Sequence, residues 1–349
     1  MSGTPAKTPT IPSAAPDTAQ PSLVPTIASG NIALQISPEN ANSLAAISQY
    51  DFGAWDQVLA IAWSSDGSAL AVSAGDAIYL LESGNLEESL RLDLGVASAC
   101  LAFSPDGKHL AAGGRDGVLR VWEIPGGDPL QELQAHQKNI SSLAYSPDGS
   151  KLATGGYDAV ARLWDTTSYQ NLGEMIGGTF AVPAIAFTPD GNSLAIVNGN
   201  VIRLRDVATQ RFVLTIVGSE PFYTISVSPD GKYLASGDVA NTVQIWDLEA
   251  EPGPGGEIRT SLHTLSGHQG APNRPEALVW QVSYTPDGSL LASAGGDGDI
   301  LIWDATRGEL LVSLNENSHA ATSAAFSPDG RWLATGGLDG KLILWSVRG

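Results

Sequence analysis

One cysteine, Cys100, stands in 349 residues, so no intrachain disulfide can hold this chain together. It lies in the apolar run Ala99–Phe103, where a free thiol reads as a small buried hydrophobe rather than a nucleophile. Charge is scarce as well, at 16% of residues against about 25% in an ordinary soluble domain. Positive charge is scarcest: Lys and Arg number 18 against 37 Asp and Glu, a net charge of −19. That surplus repels phosphate backbones and anionic lipid, which argues against nucleic acid and membrane surfaces as partners. No apolar run approaches the ~20 residues of a spanning helix, so membrane insertion is not expected. Met1-Ser2-Gly3 opens with neither a basic n-region nor an apolar h-region. The sequence as written therefore reads as cytoplasmic, or as extracytoplasmic and cell-surface if a leader has been removed. Phosphate loop, zinc spacing and nucleophile elbow are all missing, and neither a cofactor nor a metal is expected.

What the chain has is glycine, 39 residues of it, and repetition. Ala144 to Asp165 reads AYSPDGSKLATGGYDAVARLWD: three apolar runs of period two, separated by turn residues. That pattern means strands. The turn tetrapeptide of Ser146-Pro147-Asp148-Gly149 recurs, with its aspartates at 66, 106, 148, 190, 230, 287 and 329, spaced 40, 42, 42, 40, 57 and 42. Pro presets φ at the second turn position, Ser and Asp bond the local backbone, and Gly takes the positive φ of a bulged hairpin. The seven aspartates thus read as turn chemistry, not as an acidic binding ring. The third run ends in Trp-acid at Trp122, Trp164, Trp246 and Trp303, and in Trp345-Ser346 in the last copy. A further apolar run between copies, such as Leu130–Gln134 or Phe212–Val217, makes four strands per repeat.

At these residues the sequence resembles the WD-repeat β-propeller family over about residues 29–349. The resemblance implies an all-β fold: seven four-stranded antiparallel blades in one ring, expected to be monomeric. The last repeat stops after its third strand, and an N-terminal strand at about Leu44–Tyr50 is expected to complete it and close the ring. Before it, Asn31–Ser37 alternates like a strand and Ser37-Pro38-Glu39 reads as the start of a short helix. Residues 1–28, rich in Pro, Ser, Thr and Ala, are expected to be a disordered linker, either a tether or a plain terminus. The resemblance also implies buried polar chains: His136, Thr154, Asp158 and Trp164 in the third repeat; His268, Ser293, Asp297 and Trp303 in the sixth; His319, Thr335, Asp339 and Trp345 in the seventh. They fall at the family's structural positions and share no nucleophile, so no catalytic residue is expected and the protein reads as a non-enzyme. The other four blades depart from the pattern, with Leu81 and Arg205 at the Trp position in the first and fourth, and are expected to be softer.

Function is then expected on the loops that precede the first strand and join the second to the third. In the family these share one rim, and partners dock there. On this chain that rim carries Trp55, Asp56, Arg115, Tyr157, Phe180, Phe222, Tyr223 and Trp280, several of which could equally be strand residues packed between blades. The spacing of 57 points to two insertions. Glu249–Gly256 is expected as a loop on the opposite rim, and Gln269–Ala277, with Arg274, on the docking rim. The reading is a protein- or peptide-interaction scaffold. Its alternatives are a tethered or secreted sensory propeller for a glycan or small ligand and, behind that, a propeller-fold hydrolase.

Overall fold

The computed structural model describes residues 33–53, 55–176, 178–253, 255–270, 278–315 and 317–347. The linker expected at 1–28 lies outside them. Seven antiparallel sheets stand in chain order: blades 1 to 6 span 58–93, 98–134, 140–176, 185–217, 222–266 and 279–314, and blade 7 joins 321–347 to the N-terminal strand Leu44–Asp51. The first strand of each blade touches the first strand of the next, and blade 7 touches blade 1, so the sheets form a closed seven-bladed propeller. In blades 1 to 6 the chain runs outward from the central channel through four strands, and in blade 7 through three, the fourth being Leu44–Asp51.

The local chemistry explains the hairpins. In blade 3 the Ser146 hydroxyl donates to Asp148 Oδ1 at 2.6 Å, which also accepts the Ser150 N–H at 3.0 Å. The Lys151 N–H returns to Ser146 Oγ at 2.9 Å, and Gly149 sits at φ 71°. These bonds hold Asp148 at a pKa of about 2 and keep it ionised. The turns also meet one another. A Cβ added at Gly149 would lie 3.5 Å from Pro105 of the preceding blade, and Gly191 stands in the same relation to Pro147. Turn proline and turn glycine therefore also form the packing between neighbouring blades.

The second strand of each blade is buried almost end to end. It packs against its own blade and the next, and in blades 2, 3, 5 and 7 a glycine permits a close approach at Gly113, Gly155, Gly237 and Gly336. A Cβ at Gly155 would stand 2.8 Å from Val182 Cγ1 of the following blade. Seven clusters of buried apolar side chains fill the ring, and individual clusters draw on neighbouring blades.

Closure follows the expected route. Leu44 pairs with Val347 and Asp51 with Lys341, with a bulge between Ala46 and Ser48. Tyr50 and Phe52 stack at 4.6 Å, and Phe52 meets Tyr79 of blade 1 at 4.8 Å. Ile36 and Ala41 pack into the core between blades 6 and 7. The N-terminal segment thus ties three blades together.

Two local expectations are corrected. The helical turn is a 3-10 turn at Ala41–Ser43, because Asn40 Oδ1 takes the Ser37 N–H at 2.8 Å and holds Ser37 to Asn40 as a turn. Of the strand expected at Asn31–Ser37, the described part makes one bridge, Leu34 to Val347. The insertion between the third and fourth strands of blade 5 also does more than form a loop. Past Glu249–Gly256 it lays Glu257–Ile258 parallel to Thr215–Ile216, as a fifth strand on blade 4. Deleting residues 40–52 should abolish the cooperative thermal transition and leave an aggregating chain, since it exposes an edge in blade 7 and strips the cores of its neighbours. Differential scanning calorimetry beside the intact protein checks this, and an unchanged melting temperature would refute it.

Candidate functional site: the loop-bearing rim and channel mouth

The polar chains belong to the scaffold and set what the rim can present. In blade 3 the Trp164 indole N–H donates to Thr154 Oγ1 at 2.9 Å. Trp can only donate, so the threonine proton is free to go to His136 Nε2, 2.8 Å away. The imidazole proton is then on Nδ1 and goes to Asp158 Oδ1 at 2.8 Å. Every donor finds an acceptor with a neutral histidine. Burial pushes the His136 pKa down, more than Asp158 raises it. Arg162 adds to the effect: its Nη1 lies 2.8 Å from Nδ1 but gives its hydrogen to Asp158 Oδ2 at 2.9 Å. For Asp158, burial pushes upward, but the bonds from His136 and Arg162 outweigh it and hold the carboxyl at about 2. Blade 6 repeats the chain through Trp303, Ser293, His268 and Asp297, at 2.9, 2.8 and 3.1 Å.

Blade 7 corrects the third expected chain. Trp345 donates to Thr335 at 2.9 Å, but His319 is exposed and Asp339 Oδ2 accepts the Ser318 backbone N–H at 3.0 Å instead. The register gives the reason. His136 lies four residues before Ile140, which pairs with Gly156. In blade 7 the matching pair is Ala321 with Gly337, so the fourth residue before it is Asn317, and His319 falls two places too late.

Phe222 is the second correction. It is 2% exposed and stacks edge-on against Trp246 at 5.9 Å, so it is core and not rim. Gly218 holds the histidine position in blade 5, and a Cβ there would overlap the Phe222 ring. The phenyl group fills the space that imidazole fills in blade 3.

Four of the remaining rim residues, Arg115, Tyr157, Tyr223 and Trp280, come together around the channel. A cavity of about 680 Å³ opens there, lined by Arg115 and Tyr157 from second-to-third-strand turns and by Tyr223 and Trp280 from first strands. Arg115 is the single charged side chain in that lining among the described residues. Tyr223 and Trp280 meet edge-to-face at 5.3 Å and 77°. Both sit at bulges, where one extra residue turns its side chain out of the blade toward the channel. The Trp280 indole nitrogen is buried without a hydrogen-bond partner among the described residues. Trp55 is 94% exposed, Phe180 and Tyr157 are exposed, and Asp56 is half-buried over Gly75. Arg274 lies outside the described residues. Sequence reasoning missed Leu59, which occupies the blade 1 bulge, and Leu338, which takes the turn position of Arg115 and Tyr157 in blade 7; both line the cavity. Val239 holds that turn position in blade 5 and is exposed. The signal was present: each of these turn residues directly follows the last residue of a second strand.

Comparison with known proteins fits this geometry. The model of the WD domain, G-beta repeat, matches residues 95–123, 127–165, 210–247, 259–304 and 308–346. Part of the chain is 39% identical to the general transcriptional corepressor TUP1 of Saccharomyces cerevisiae, over 20% of this chain and 10% of that protein. It is 36% identical to small ribosomal subunit protein RACK1y of Oryza sativa subsp. japonica, over 26% of this chain and 22% of that protein. Protein Notchless of Drosophila melanogaster is 28% identical, over 30% of this chain and 28% of its own length. The matched segments thus span less than a third of each relative.

His136→Ala should lower stability by about 2–3 kcal/mol, because it strands buried Thr154 and Asp158, while His319→Ala should cost less than about 0.5 kcal/mol. Urea unfolding of the two variants checks the register. Acidification should lower the melting temperature in two stages. Below the ordinary histidine value of 6.5 the unfolded chain takes up a proton that folded His136 resists. Between 3.8 and about 2 the unfolded chain likewise protonates Asp158 before the folded one does. In His136→Ala the first stage should shrink.

Proposed function

This chain belongs to the family built from the WD domain, G-beta repeat, and from that premise we propose that it is a non-catalytic platform whose protein or peptide partner docks on the loop-bearing rim. The observation that carries the reading is the channel mouth. Tyr223 and Trp280 offer a rigid aromatic edge, Leu59 and Leu338 add apolar surface, and Arg115 supplies a positive charge. Aromatics and arginine set at the centre of a patch are the side chains that dominate interface energetics. Trp55 and Phe180, exposed on the same loop class, extend the patch outward. In sequence, the segment carrying Arg274 directly precedes the first strand of blade 6, and its length and composition make it the proposed source of partner selectivity.

One observation favours a second reading. A cavity of about 680 Å³ is of small-molecule size, so a glycan or other small ligand could occupy the mouth in place of a side chain. Affinity capture with the wild type beside the Trp280→Ala, Arg115→Ala double variant tests the main reading. A stoichiometric protein recovered by the wild type and lost with the variant, at equal circular dichroism, is the expected result. Identical recoveries would remove the rim from consideration, and a loss of glycan-array signal with no change in protein recovery would support the second reading.

A further inference from the structure

The first of the two insertions behind the repeat spacing of 57, Glu249–Gly256, is followed by a shortened strand. In blades 3 and 6 the outer strand reaches the tryptophan position, where Trp164 pairs with Asn171 and Trp303 with Leu310. In blade 5 the outer strand is His263–Ser266, and its register begins opposite Ile245, so Trp246 has no outer partner among the described residues. Where that strand end is missing, a cavity of about 300 Å³ opens on the turn-bearing rim between blades 5 and 6, opposite the proposed docking rim.

Its walls are chemically specific. Asp230 and Asp287 come from the turns of the two blades. Their bonds concentrate on one oxygen each. Asp230 Oδ1 accepts the Ser228 hydroxyl at 2.6 Å and the Lys232 N–H at 3.1 Å. Asp287 Oδ1 accepts the Thr285 hydroxyl at 2.7 Å and both Ser289 donors, at 3.0 and 2.8 Å. The second oxygens retain acceptor capacity: Asp287 Oδ2 has a single 3.4 Å contact, from Gln35, and Asp230 Oδ2 has none among the described residues. Both carboxyls are held below their ordinary value and stay ionised. Tyr284 lines the same cavity at 8% exposure, and its hydroxyl is buried without a hydrogen-bond partner among the described residues. Leu262, 51% exposed, and the half-buried Tyr233 form an apolar wall.

We propose that this cavity binds an arginine or lysine side chain of a partner polypeptide. An aliphatic stem matches Leu262 and Tyr233, as such stems lie along apolar surface while the head stays polar. The cationic head meets Asp230 Oδ2, which has no partner among the described residues, and Asp287 Oδ2 in place of its long Gln35 contact, and the Tyr284 oxygen accepts one more N–H. A net charge of −19 draws cationic segments toward the protein. The site does not depend on the loop-bearing rim, so either can fail without the other.

Isothermal titration of the full chain with the peptide acetyl-Gly-Arg-Gly-amide, and with its uncharged citrulline counterpart, tests the site. The arginine peptide should bind about tenfold more tightly, as expected for a charge-assisted contact. Asp230→Asn should weaken it about fivefold, while Asp148→Asn, the same charge loss in the same turn of blade 3, should leave it unchanged. Leu262→Lys alters an exposed lip residue, places a tethered ammonium in the cavity and should abolish binding, which keeps the test decisive if Asp230→Asn does not fold. Equal affinity for the two peptides, equal losses in the two Asp variants, or undiminished binding by Leu262→Lys would overturn the proposal.

Discussion

The pairing of Leu44–Asp51 with the last strand of the chain is the constraint on which the rest depends. A four-stranded blade has two apolar faces, and each is covered only by a neighbouring blade. Seven blades in an open row would leave two faces bare and an unpaired edge. The N-terminal strand removes all of these at once: it supplies the fourth strand of blade 7, sends Tyr50 and Phe52 into blade 1 and anchors Ile36 between blades 6 and 7. Loops on both rims then hang from a closed frame, and the channel keeps a defined width.

Within that frame the polar groups divide by accessibility. The histidines of blades 3 and 6 are buried, bonded at both nitrogens and, in blade 3, neutral at physiological pH. Such a group orients a turn but has nothing left to offer a substrate. The turn aspartates are likewise occupied by their own hydroxyls and amides, chiefly through Oδ1. Binding capacity remains where the recurring first-strand bulge carries a large side chain, or where a repeat departs from regularity. The bulges at Tyr223 and Trp280 aim aromatic rings into the channel, and the shortened outer strand of blade 5 opens a polar pocket on the far rim.

Much of this was legible in the chain because a tandem repeat writes its period into the sequence. Each Ser-Pro-Asp-Gly turn and each Trp position is set by bonds within a few residues, and a local cause leaves a local signature. His319 was misplaced because the family pattern fixes which residue types take part, not the number of residues from the histidine to the next strand. Only the pairing of Ala321 with Gly337 shows that Asn317 holds that position. Phe222 looked like a rim aromatic because its loop places it next to Tyr223. Its burial depends on Gly218, whose missing side chain leaves room for the ring.

The amino-acid sequence by itself determined the four-stranded repeat, the seven-fold ring, its N-terminal closure and the turn role of the aspartates, since all follow from counting the repeats and from short-range hydrogen bonding. Tertiary structure alone decided which side chains reach solvent or the channel, how the insertion reaches blade 4 while opening a cavity beside blade 6, and that turn prolines and glycines pack blade against blade. Those outcomes rest on contacts between residues about 40 or more positions apart, and on register shifts of one or two residues, to which a period-two pattern is blind.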